Sequence, residues 1–223
     1  MKLQDLPTHA RPVEISNQGR WIGQLRERSN TLSPQAGGAA SAGIRTLVAV
    51  RPDQMDAASD LVRRRYAWRG YQVAVDEAEF PFSEETAPMT LLAEDGTGLL
   101  GTLTVRPSAP LLAEKTYAAD IERLRAAGHR LGEVVKLAVE TGVDWKGALD
   151  ALVQSAYFVS HVLHGLSDVI IEVNPRHVRF YDKVLGFTTV ASGGVCSRVA
   201  APSVLMRLDL AAFGKRVRAS LAA

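Results

Sequence analysis

The sequence predicts an α/β fold in which helices cover both faces of a mixed central sheet. Three observations predict it. Strand-like and helix-like segments follow one another in the order β-α-β-β-(α)-β-α-β-α-β-β. Two segments, "LGEVVKLAV" (131–139) and "SDVIIEV" (167–173), are almost continuously apolar, as strands buried on both faces are. Between them runs an amphipathic stretch long enough for a crossover helix, which makes these two strands parallel neighbours.

Residues 1–43 read as a flexible N-terminal segment. "SNTLSPQAGGAASAG" has almost no large apolar residue, and "RWIGQLRERS" before it reads either as a short docking helix or as disorder. The expected domain spans residues 44–210. It opens with the β-branched strand "IRTLVAV". "RPDQMDAASDLVRRRYAWRGY" then reads as a helix. Pro52 suits its first position and Asp53 its first turn, and Met55, Ala58, Leu61, Val62 and Tyr66 form its apolar stripe. "FPFSEETAPM" is a loop, and "TLLAEDGTGLLGTLTV" a hairpin turning at "EDGTG". "AADIERLRAAGHR" is a short helix stopped by Gly128. "DALVQSAYFVSHVLHGL" is the crossover helix, "PRHVRFYDKVL" another helix, and "GFTTVAS" and "SVLMRLDL" the last strands. Residues 211–223 form a helical tail.

With 223 residues, 47% of them hydrophobic, the chain can bury a full core. A formal net charge of +2 gives no global field for nucleic acid. Cys196 is the lone cysteine, so no intrachain disulfide or cysteine-cluster metal site is expected, and a reducing compartment fits. There is no secretory h-region and no transmembrane run, so a cytoplasmic protein is expected.

Three stretches carry a resemblance: "RRRYAWRGY" on the first helix, "IERLRAAGHRLGEVVKLAV", and "EVNPRHVRFYDKVLGF". From about residue 44 to 210 the chain resembles the GNAT acyltransferases, and among them the N-acyl amino acid synthases, relatives of the acyl-homoserine lactone autoinducer synthases. The resemblance implies that an acyl thioester lies in a V-shaped gap between two splayed parallel strands. It also implies that an amine attacks the thioester directly. Such chemistry needs a base for the ammonium, donors for the oxyanion, and an acid for the leaving thiolate.

The resemblance implies catalytic roles for Glu133, as base, and Tyr181, as acid. Burial among Val and Leu would raise the Glu133 pKa toward neutrality. The alternative is a Glu that faces solvent or pairs with Lys136 or Arg130. For Tyr181 the alternative is an ordinary half-buried aromatic. Leu137, Ala138 and Val139, with Asn174, Arg176 and His177, are expected to bind donor or substrate. Asn174 and Pro175 also suit a helix cap and first helical position. His177 shares a helix face with Tyr181 and suits a supporting role. Glu172 faces either the gap or solvent. Trp68, Tyr71 and Phe82 are expected either in an acyl-tunnel wall or in the core.

GNAT enzymes that use coenzyme A carry a Gly-rich pyrophosphate loop after the fourth strand. Here that place reads "ETGVDWKGALDAL", with glycines at another spacing and with Asp144 and Asp150. An acyl carrier protein needs no such cradle, because its phosphopantetheine has no adenosine pyrophosphate. Arg63, Arg64, Arg65 and Arg69 form a basic cluster suited to an acidic carrier protein, or simply a solvated helix face. The expectation is acyl transfer from acyl carrier protein to an amino acid, with no bound metal or permanent cofactor. The rivals are a coenzyme A-dependent N-acetyltransferase, an autoinducer synthase, and a silent module that binds carrier protein or lipid.

Overall fold

Among the described residues, seven strands form one sheet in the order β1-β2-β3-β4-β5-β7-β6. The strands are β1 (Arg45–Val48), β2 (Met89–Asp95), β3 (Gly98–Arg106), β4 (Leu131–Val139), β5 (Asp168–Val173), β6 (Thr188–Cys196) and β7 (Ala201–Asp209). The computed structural model describes residues 43–71 and 86–222. The expected N-terminal segment up to residue 42, and Phe82, lie outside them. Every neighbouring pair is antiparallel except β4 and β5, the parallel pair expected from their apolar runs.

The helices divide between the two faces. Helix α1 (Pro52–Ala67) begins with Pro52, and Gln54 Oε1 accepts the Val50 and Arg51 amides at 3.1 Å each. Ala58, Leu61 and Val62 bury its stripe, but Met55 is 43% exposed, because the stripe meets the sheet only from Ala58 onward. Helix α2 (Glu114–Ala126) shares this face and packs Tyr117 and Ile121 against Leu131, Ile170 and Leu205.

The opposite face carries α3 (Trp145–Tyr157), which continues through a wider turn at Phe158–Leu163. Beside it lie a segment α4 (175–185) and α5 (Leu210–Ala222). The expected tail is therefore a core element: Leu210, Phe213 and Val217 join Val169, Ile171, Met206 and Leu208. Segment α4 is a 3₁₀ turn, an α turn and a π turn in succession rather than one regular helix, and it ends at Gly186 with φ 80°.

Strands β4 and β5 pair only over Leu131–Glu133 and Asp168–Ile170. Beyond that they diverge, and the cause lies in β4. Its register with β3 slips between Thr102 and Thr104, and Lys136 adopts φ 56°. The extra residue is a bulge that bends β4. Strand β5 stays paired with β7 along its whole length. The closed end is pinned by Asp168, only 2% exposed, which bonds Ser167 Oγ and His129 Nδ1 at 2.7 Å and Arg207 Nη1 at 3.0 Å.

Candidate active site

Where β4 and β5 part, a cavity of about 710 Å³ opens between the strands, lined from both faces of the sheet. Its two ends differ in chemistry. Toward α1 and α2 it meets Glu172, Asn174, His177, Arg198 and Ser203; toward α3 and α5 it meets Leu149, Val153, Tyr157, Leu185, Phe187 and Phe213. Leu137, Ala138 and Val139 all line it. Among the described residues no strand pairs with the β5-facing edge of β4 past Glu133. The backbone of Leu137, Ala138 and Val139 borders the cavity there.

Glu133 is fully buried on the α2 side of β4, beneath the cavity lining rather than within it. Its oxygens accept the Leu112 amide at 2.5 Å and the Ala113 amide at 3.1 Å. It does not pair with Lys136 or Arg130. Burial pushes its pKa up to about 7, against the opposing pull of Arg198, Arg106 and the two amides.

Tyr181 lines the cavity and stands edge-on to Phe180 and Phe187, with ring centroids 5.4 and 5.7 Å away. Burial, with a smaller effect of Tyr66, raises its pKa, so the phenol keeps its proton. Asn174 caps α4, its Oδ1 accepting the Arg176 amide at 3.2 Å, and it also borders the cavity.

The mouth is cationic. Arg69 Nη1 donates to His177 Nε2 at 2.7 Å, and Arg176 Nε donates to the same nitrogen at 3.3 Å. Two donors on Nε2 leave the ring proton on Nδ1. Burial and both guanidinium groups lower the His177 pKa, so the ring is neutral at pH 7. Arg176 also bonds the Tyr71 hydroxyl at 2.8 Å and stacks over its ring. Arg65 reaches the mouth while stacking over Trp68. Neither Arg63 nor Arg64 lines the cavity: Arg63 pairs with Asp60, and Arg64 pairs at 2.7 Å with Glu140, which borders it. Of the aromatics expected in a tunnel wall, Tyr71 lines the cavity, whereas Trp68 is 74% exposed and does not.

At the N-terminus of α3, the Asp144 carboxylate accepts the Gly147 amide at 3.0 Å. A carboxylate already occupies the place where a pyrophosphate would seek helix amides. Asp150 lies further along, hydrogen-bonded to Gln154, with its pKa raised by burial to about 6.

Arg198 escaped the sequence reading. Its guanidinium bonds Glu172 Oε2 at 3.1 Å, while Ser203 Oγ donates to Glu172 Oε1 at 2.8 Å. The signal was a single cation inside the small-residue hairpin "SGGVCSRVAAPS". The open choice for Glu172 resolves toward the gap, because its side chain is 1% exposed and borders the cavity.

A family model described as N-acyl amino acid synthase FeeM matches residues 57–209. The solved structure of FeeM, an N-acyl amino acid synthase from uncultured soil microbes, aligns with TM-score 0.67 and 24% identity. That match covers 81% of this chain and 99% of FeeM. An acyl-CoA N-acyltransferase from Pseudomonas aeruginosa aligns with TM-score 0.52 and 16% identity over 74% of this chain and 99% of its own. The spermidine/spermine N-acetyltransferase SpeG from Vibrio cholerae gives 0.52 and 13% over 77% and 97%. No curated protein matches the chain.

Proposed function

The chain belongs to the N-acyl amino acid synthase family of FeeM and is an N-acyltransferase; on that premise we propose that it moves a long-chain acyl group from acyl carrier protein to the amine of an amino acid. The observation that carries this reading is the two-ended cavity in the β4–β5 gap. Its polar end suits an amino-acid headgroup and its apolar end suits an acyl chain.

In this reading Glu133 takes the proton of the acceptor ammonium through one bridging water, since its buried carboxylate lies in the field of Arg198 at the polar end. The amine nitrogen attacks the thioester carbonyl, and backbone groups on the open edge of β4, around Leu137–Val139, hold the oxyanion. The carbon–sulfur bond then breaks. Tyr181 gives its proton to the thiolate and recovers one from the amide nitrogen as the tetrahedral intermediate collapses. The products are an N-acyl amino acid, a thiol and one proton released to solvent.

Two features support a carrier-protein donor over coenzyme A. Asp144 occupies the α3 N-terminus, and Arg65, Arg69 and Arg176 make the mouth cationic. The test offers long-chain acyl carrier protein and acetyl-coenzyme A at equal concentration, with the standard amino acids as acceptors. Carrier protein should be consumed much faster, with N-acyl amino acid found by mass spectrometry. Turnover of acetyl-coenzyme A alone would replace the donor assignment, and carrier binding without turnover would make the protein a silent module.

A further inference from the structure

We infer that Arg198 and Glu172 form the recognition site for the acceptor's zwitterionic headgroup, Arg198 holding the α-carboxylate and Glu172 receiving the amine. This deepens the proposed function and rests on it. Both side chains border the cavity at its polar end. An arginine side chain offers five N–H donors, and among the described residues the Arg198 guanidinium makes one protein hydrogen bond, to Glu172. With Arg198 17% exposed, its remaining donors are within reach of a ligand in the cavity. The Glu172 carboxylate accepts from Arg198 at Oε2 and Ser203 at Oε1 and is also bonded by the Cys196 thiol, so of its roughly four lone-pair sites at least one stays open to a ligand.

The charges fit a zwitterion. The guanidinium lies next to Glu172 and within the field of Glu133; burial works against its charge, but these carboxylates keep it protonated. An α-amino acid brings one charge of each sign, so each meets its opposite and none is left uncompensated. A polyamine brings only cations and would leave Arg198 facing like charge. The hairpin is also built for the purpose: Ala200 holds φ 48°, a strained value for a residue with a Cβ, in the turn that presents Arg198.

The test measures kcat/KM for the standard amino acids, the matching carboxamides and the decarboxylated amines, using one long-chain acyl carrier protein. The intact enzyme should prefer the acid over its amide by about 10- to 100-fold, the scale of a charge-assisted bond. Arg198→Gln should bring that ratio close to one, mainly through KM, and Arg198→Lys should restore part of it. Equal use of acid and amide by the unmodified enzyme overturns the assignment without any variant, so misfolding cannot hide the answer. A preference that survives in folded Arg198→Gln overturns it as well. Acylated amino acids without acid preference would sink this assignment alone. No acylation of any amine would sink the proposed function and this assignment together.

Discussion

Glu133 is a carboxylate whose environment conflicts with its charge. Two amides and Arg198 favour the ion, burial disfavours it more, and the balance lies at about 7. The consequences for stability and activity run in opposite directions. The folded protein holds this proton up to about pH 7, whereas an exposed Glu releases it near 4.5. The stability Glu133 contributes is therefore complete below 4.5 and lost as pH rises through about 7. Acyl transfer should instead rise across that upper limit, as the base becomes free to accept a proton. Glu133→Gln should lower turnover by roughly 10²–10⁴ and erase that limb of the pH–rate profile. It should also flatten the fall in unfolding free energy between the two pKa values. A variant that kept the limb would assign the base elsewhere.

Tyr181 is a simpler case, since its neutral phenol can only donate. Tyr181→Phe should slow transfer from an alkyl thioester and be partly rescued by an aryl thioester, whose thiolate departs without a proton. Equal slowing with both donors would make Tyr181 a packing residue between Phe180 and Phe187.

At the scale of elements, the bulge in β4 creates the gap. Lys136 sits at φ 56°, which costs about 1–2 kcal/mol for a residue with a Cβ. Glycine accepts that conformation freely and valine accepts it least. Lys136→Gly should keep the bulge in β4. Lys136→Val should lose about 1–2 kcal/mol in denaturant unfolding and lose transfer as β4 straightens toward β5. An unchanged unfolding midpoint in the valine variant would mean that packing from α1 and α3 alone shapes the strand. The closed end of the gap has its own clasp in Asp168, so one end of the β4–β5 pair is held while the other is bent away.

For the whole molecule, the cationic mouth should steer an acidic carrier protein. A net charge of +2 conceals this, because Arg63 and Arg64 are matched by Asp60 and Glu140 while Arg65 and Arg69 border one opening and Arg176 bonds the His177 and Tyr71 that line it. Reversing Arg65 and Arg69 to Glu should weaken use of acyl carrier protein several-fold, and added salt should mimic the change. A short acyl-pantetheine donor should be affected far less. Arg63→Glu, outside the mouth, is the matching control. Equal loss with both donors would assign the two arginines to the architecture of the mouth.

Strand and helix order, the parallel β4–β5 pair and the Asn174 cap were legible in the sequence, because periodicity and capping act over a few residues. So was the placement of Glu133 on the fourth strand and of Tyr181 on the segment after Asn174. Three things were not. The positive φ of Lys136 left no trace, since lysine does not announce a bulge. The α5 segment reads as a tail, yet Phe213 and Val217 pack against the sheet face beside α3, Phe213 also against Tyr157 of that helix. The Arg198–Glu172 pair joins residues 26 positions apart, across a hairpin and a neighbouring strand. Local chemistry follows from local sequence. Which charge meets which, and whether Glu133 lies in the cavity wall or beneath it, depends on how strands distant in the chain are stacked, and only the tertiary structure decides that.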